Sequence, residues 1–85
     1  MNVEDIIFEY INKKTKIIGE TKIEKLNYNY LDSGEIDSME MVEMIVYLEN
    51  KLNIKFNANE LQSNEFRTVG GLIDIIKKCI SRDSN

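Results

Sequence analysis

Residues 31–52 read LDSGEIDSMEMVEMIVYLENKL, a turn-forming stretch that gives way to the clearest helical pattern in the chain. Two Asp-Ser pairs fall within it. Asp32-Ser33 is followed by Gly34, whereas Asp37-Ser38 opens a run with no turn signal. Beyond Ser38, the residues Met41, Met44, Ile45, Leu48 and Leu52 recur at the spacing of one helix face. The pattern predicts a helix over 38–52. Asp37 or Ser38 can cap it, Glu40 sits in its first turn and Asn53 is a suitable stop.

The flanking segments follow by the same reasoning. In NVEDIIFEYINKKTK, residues 2–16, the apolar Val3, Ile6, Ile7, Tyr10 and Ile11 have helical spacing. Asn2 can cap the start, Glu4 and Asp5 suit the positive end of the helix dipole, and Lys13, Lys14 and Lys16 suit the negative end. This predicts a helix over 3–15. Residues 16–37 read as a long loop, in which some of Ile17, Ile18, Ile23, Leu26, Leu31 and Ile36 must pin the chain to a core, because an untethered loop of that length is unusual. A short helical turn is expected at 57–62, with Ile54, Phe56, Leu61 and Phe66 pointing inward. Thr68 should cap a last helix over 69–81, burying Val69, Leu72, Ile73, Ile76, Cys79 and Ile80. Gly70 and Gly71 weaken its first turn but permit close approach by another segment. No segment alternates as a strand would. The fold class is therefore all-α, a four-helix bundle of three long helices and one short one.

Composition narrows the function. A chain of 85 residues fits one small domain, which buries roughly 60% of its unfolded surface and leaves little room for a deep substrate cleft. Fifteen acids against 11 bases give a net charge of −4, which disfavours nucleic acid and anionic membranes and favours basic protein partners. With no His, a Ser-His-Asp triad and His metal ligands are excluded, and one Cys forms no internal disulfide. The carboxylates around Ser38 lack the spacing of an EF-hand loop, so no metal is expected. The N-terminus lacks the basic lead of a signal peptide, and no apolar run reaches the ~18 residues of a membrane span. The expectation is a cytoplasmic protein with no membrane span.

Ser33 reads as a turn residue whose hydroxyl bonds nearby backbone. Ser38 reads either as a helix cap or, with the same geometry, as an exposed hydroxyl at the positive end of a helix, where a phosphate would be favoured. Without a His to activate it, a reactive Ser must be acted upon by another enzyme. The face of the predicted helix away from the core mixes Met39, Val46 and Glu43, with Glu40 at the opposite margin. Asp32, Glu35, Asp37, Glu40, Glu43 and Glu49 form an acidic run with no base between Lys25 and Lys51, suited to steering basic partners. An unmodified helical adaptor for such a partner is the rival reading.

The stretch LDSGEIDSMEMVEMIVYLENKLNIKF, together with NEFRTVGGLIDII, resembles acyl carrier proteins along nearly the whole chain. The resemblance implies a single carrier domain over 1–85, a monomer, with 4'-phosphopantetheine on Ser38 and Asp37 as the preceding motif acid. It places Met39, Glu40, Glu43, Val46 and Glu49 on the face met by partner enzymes. A phosphopantetheinyl transferase would move the arm from coenzyme A, and an acyl- or aminoacyl-loading enzyme and downstream transferring enzymes with basic patches would follow. The chain itself would catalyse nothing. Gly34-Glu35-Ile36-Asp37-Ser38-Met39 departs from the Gly-Ala-Asp-Ser-Leu common in fatty-acid synthesis. The form is similar instead to D-alanyl carriers and to discrete carriers of specialised pathways, and the cargo stays open between acyl and aminoacyl groups.

Overall fold

In the computed structural model, which describes residues 2–83, three long helices carry most of the chain. They are α1 (Val3–Lys14), α3 (Ser38–Leu52) and α5 (Val69–Asp83). Two helices of five residues each, α2 (Lys22–Leu26) and α4 (Ala58–Gln62), and a 3-10 turn over Asn64–Arg67 complete the order. No extended strand occurs among the described residues; a lone bridge joins Asn29 to Thr68.

Local chemistry sets the boundaries. Asn2 caps α1 by accepting the Asp5 N–H at 2.9 Å, with Glu4 and Asp5 in the first turn and Lys13 and Lys14 in the last. Asn53 stops α3 in the left-handed conformation at φ 53°, which Asn tolerates better than most residues. Asn57 and Glu60 form a reciprocal capping box on α4. The Thr68 hydroxyl accepts the Gly71 N–H at 3.0 Å at the start of α5.

The segment expected as an unbroken loop, 16–37, contains α2. Its signature is Thr21-Lys22-Ile23-Glu24: the Thr21 hydroxyl accepts the Glu24 N–H and donates to the Glu24 carboxylate, both at 3.1 Å. A helix of little more than one turn is too short to display an apolar period. Ile17 and Ile36 pin the segment inward, whereas Ile18 and Ile23 are 67% and 71% exposed. The main anchor is Tyr30, fully buried, whose hydroxyl donates to the Phe66 carbonyl. The Val69 N–H donates to the Tyr28 carbonyl at 3.1 Å, so the long connection is tied directly to the start of α5.

Helix α5 packs against α1, α2 and the 3-10 turn. Being enclosed on several sides, it buries Ile75 as well as Val69, Leu72, Ile73, Ile76 and Cys79. Ile80, expected in the core, is 37% exposed near the end of the helix. Gly71 permits the closest approach. A Cβ there would lie 1.9 Å from the Glu65 carbonyl oxygen, so only glycine lets the 3-10 turn lie on α5.

Candidate functional site

The two Asp-Ser pairs do different work. Asp32 closes a turn with Asn29, three residues earlier: its N–H donates to Asn29 Oδ1 at 3.0 Å, and Asn29 Nδ2 donates back to its carboxylate at 2.9 Å. The Ser33 hydroxyl donates to the Tyr30 carbonyl at 2.8 Å and accepts the Glu35 N–H at 3.2 Å. Gly34 turns the chain at φ 80°, and Ile36 drops into the core. The hydroxyl of Ser33 is thus consumed by the turn that aims the next residues.

At Asp37 the backbone is still extended, at φ −87° and ψ 179°, and its carboxylate accepts the Glu40 N–H at 2.8 Å. The cap of α3 is therefore Asp37, and Ser38 is the first helical residue. Ser38 is exposed, and no side-chain hydrogen bond engages its hydroxyl among the described residues. Its own N–H and that of Met39 belong to the first-turn amides that no helical carbonyl reaches. The buried Ile36 on one side, and Met44 a turn and a half along, hold this terminus rigidly. An uncommitted hydroxyl on a fixed, positively polarised helix end suits a phosphodiester. Among the described residues, no group of three or more Cys, Asp or Glu side chains is placed to hold a metal ion.

Outward from Ser38, Met39, Val42 and Val46 are 70%, 55% and 50% exposed, with the exposed Glu43 among them. Sequence reasoning missed Val42, although it lies three residues beyond Met39 and completes the spacing of that face. The acids of α3 differ in their commitments. Lys14 Nζ lies 3.8 Å from the Glu40 carboxylate and 5.9 Å from the centre of the Tyr10 ring, and Tyr10 stacks on Tyr47 at 4.8 Å. Glu49 is turned towards the next connection, where its carboxylate accepts the Phe56 N–H at 3.0 Å. Glu43 forms no ion pair among the described residues. Burial pushes the Tyr10 phenol up; the Lys14 ammonium works against this, and the nearby Glu43 and Glu40 charges add to it.

Against known families, residues 6–76 match the model described as "Phosphopantetheine attachment site". The chain belongs to that family. It is similar to the D-alanyl carrier protein of Leuconostoc citreum, 31% identical over 80 residues that make up 94% of this chain and 99% of that protein. The D-alanyl carrier proteins of Leuconostoc mesenteroides and of Streptococcus pyogenes serotype M1 are 29% and 27% identical, over 94% and 92% of this chain and 99% and 95% of their own lengths. No solved structure matches. The protein is a carrier and not a catalyst, and its cofactor is 4'-phosphopantetheine. No helix among the described residues is long and apolar enough to cross a membrane.

Proposed function

We propose that this carrier holds a small acyl or aminoacyl group as a thioester on a phosphopantetheine arm at Ser38, and passes it between biosynthetic enzymes. The observation that carries the choice of residue is the division of labour at α3. Asp37 takes the cap, which leaves Ser38 exposed and uncommitted, whereas the turn uses both functions of the Ser33 hydroxyl. When attached, the arm supplies a terminal thiol on a flexible tether. The chain supplies a rigid post and a surface for its partners. In loading, the Ser38 oxygen bonds to phosphorus in the pyrophosphate of coenzyme A. The bond to adenosine 3',5'-bisphosphate breaks, and the serine proton leaves to a base on the transferase, since this chain has no His.

The test is intact mass after incubation with coenzyme A and a broad-specificity phosphopantetheinyl transferase. The wild type and Ser33→Ala should gain one phosphopantetheine, and Ser38→Ala none. A gain that survives Ser38→Ala would falsify the assignment. No gain by the wild type would favour an unmodified adaptor instead.

Within this reading the cargo is D-alanine or a related amino acid. The support is the name shared by the relatives that span nearly the whole chain, together with the Asp-Ser-Gly-Glu-Ile-Asp-Ser-Met form of residues 32–39. The modified protein should then be charged by an amino-acid-adenylating enzyme with ATP and D-alanine. Charging only from an acyl-coenzyme A would assign an acyl cargo instead.

A further inference from the structure

The chain leaving α1 presents an unpaired strand edge on the side of that helix away from α3. We propose that this edge, at Lys16 and Ile18, takes up an extended segment of a partner protein in which an acidic and an apolar residue stand two positions apart. The proposal is independent of the Ser38 reading, and either can fail alone.

Burial alternates here as it does along a strand: Thr15 and Ile17 are buried, and Lys16 and Ile18 are exposed. Thr15 is itself extended, at φ −148° and ψ 141°. The Ile17 N–H donates to Asn12 Oδ1 at 3.1 Å, which turns it towards α1. Successive amides of an extended chain point to opposite sides, so those of Lys16 and Ile18 face away from α1. Neither the N–H nor the C=O of these two residues forms a hydrogen bond among the described residues. Such an edge is a template for another extended chain. A lipid surface would leave these groups to water, and the acids of a second copy lie mostly on a helix.

The side chains say which extended chain fits. Beside the edge is a cleft of about 280 Å³ lined by Phe8, Asn12, Lys16, Ile17, Gly19 and Lys25. Lys16 and Lys25 form no ion pair among the described residues, whereas Lys13, Lys14 and Lys22 are paired with Glu9, Glu40 and Glu4. Of the two acids within 13–25, Glu24 accepts the Thr21 hydroxyl, and only Glu20 lacks a partner among the described residues. A Cβ on Gly19 would lie 2.9 Å from the Glu24 Cβ. The chain therefore doubles back closely enough to bring Ile18 and Ile23, 67% and 71% exposed, to one corner of the cleft. In an added strand, the residues beside Lys16 and Ile18 share their face and stand two positions apart, so a carboxylate at one and an apolar side chain at the other are complementary. The cleft lies away from α3: Tyr10 stacks on Tyr47, and Phe8 and Asn12 are each about 200° around α1 from Tyr10. A segment bound there leaves Ser38 accessible.

The experiment titrates the ¹⁵N-labelled protein with the peptide acetyl-Val-Thr-Glu-Thr-Val-amide, which offers Glu to Lys16 and Val to Ile18 in either chain direction. Binding should be saturable and weaken as salt is raised. The amides of Lys16 and Ile18 should exchange more slowly with solvent in the complex, and that of Ile17 should not change. Lys16→Gln should weaken binding about threefold, and Glu20→Gln should tighten it about twofold. Ile18→Ser should weaken it about fivefold or more. N-methylation of the peptide at Glu and both Val should cost about tenfold. All three substituted side chains are exposed, and melting temperatures confirm that the variants fold. No saturable binding up to about 10 mM peptide would overturn the proposal. So would equal binding of a peptide with Lys in place of Glu, or binding without slower exchange at Lys16 and Ile18. A wild-type dimer in light scattering that Ile18→Ser dissociates would give the edge to a second copy and overturn it too. Retention on phosphatidylglycerol vesicles that Ile23→Ser abolishes would overturn it in favour of a lipid surface.

Discussion

At the residue scale, Tyr30 shows how much rests on single groups that periodicity does not reveal. It stands in a polar segment, NYNY, that carries no helical or strand spacing. Yet it is fully buried, its hydroxyl donates to the Phe66 carbonyl, and burial drives its phenol far above the ordinary value. Its own carbonyl accepts the Ser33 hydroxyl, so the same residue holds both the core and the turn before α3. Removing only the hydroxyl, in Tyr30→Phe, leaves the Phe66 carbonyl buried and short of its donor. The expected cost is about 1–3 kcal/mol, read as a fall of several degrees or more in melting temperature. A change within about a degree would show that the bond adds little.

Ser38 belongs to the same scale, and there the sequence was informative only up to a point. The position of the α3 start was legible from the stripe Met41, Met44, Ile45, Leu48. Which of Asp37 and Ser38 capped it was not, because both types cap well. The carboxylate of Asp37 settles this by reaching Glu40 N–H, and that contact is what frees the serine.

At the scale of elements, the long amphipathic helices were legible, and of the two short ones the turn at 57–62 was expected and α2 was not. Helices α1, α3 and α5 begin within a residue of where spacing and caps place them, and α5 runs two residues further than expected. Helix α2 escaped because its stability comes from Thr21 and Glu24 and not from a buried stripe; none of its residues is fully buried. The inward turn of Ile75 escaped because periodicity describes one face, whereas α5 is covered on several.

The fastening of α4 is the element-scale feature with a pH consequence. Its Glu60 carboxylate accepts the Asn57 N–H at 2.8 Å, the Arg82 guanidinium at 3.2 Å and the Cys79 thiol at 3.6 Å. Burial alone would raise the Glu60 carboxyl, but the Asn57 amide and the Arg82 charge outweigh it and hold the group below its ordinary 4.5. A folded-state value below the unfolded one adds stability that is present above about pH 4.5 and is lost as pH falls through the lowered folded value. Glu60→Gln keeps an oxygen for the Asn57 amide but loses the charge facing Arg82. It should lower the melting temperature at neutral pH and flatten the decline that begins below about pH 4.5. An acid limb as steep as that of the wild type would assign the decline to other carboxylates, Glu4 with its Lys22 and Lys77 partners first among them.

The contact of the 3-10 turn with α5 yields a sharper element-scale test. Gly71→Ala would drive a methyl to 1.9 Å from a backbone oxygen, which no side-chain rotation relieves. The cost should be about 3 kcal/mol or more, enough to threaten folding altogether. At Gly34 a methyl group would meet nothing within 4 Å, but φ is 80°. Alanine there should cost only the ~1–2 kcal/mol of left-handed backbone. Chemical denaturation of the two variants side by side would compare these costs, and equal losses would contradict the steric account.

At the scale of the whole molecule, the Ser38 hydroxyl, the proposed attachment point, lies outside the packed core. Ser38 is exposed, while the residues that fix its helix, Ile36, Met44 and Leu48, are buried one face away. Adding the arm should therefore alter the surface without repacking the interior. Two electrostatic effects oppose each other at the new phosphodiester: the helix dipole favours its charge, and the Asp37 carboxylate next to it disfavours it. Each is worth up to about 1 kcal/mol at an exposed site, so the difference is small. The modified protein should melt within about 3 °C of the unmodified one, with the same far-ultraviolet helix signal. Salt should shift that gap only slightly, because it screens both effects. In Asp37→Asn the amide oxygen keeps the cap while the neighbouring charge is gone, so modification should become mildly stabilising there. A large stabilisation of the wild type on modification would mean that the arm packs against the bundle, and the view of this domain as a rigid post with its chemistry held clear of it would fail.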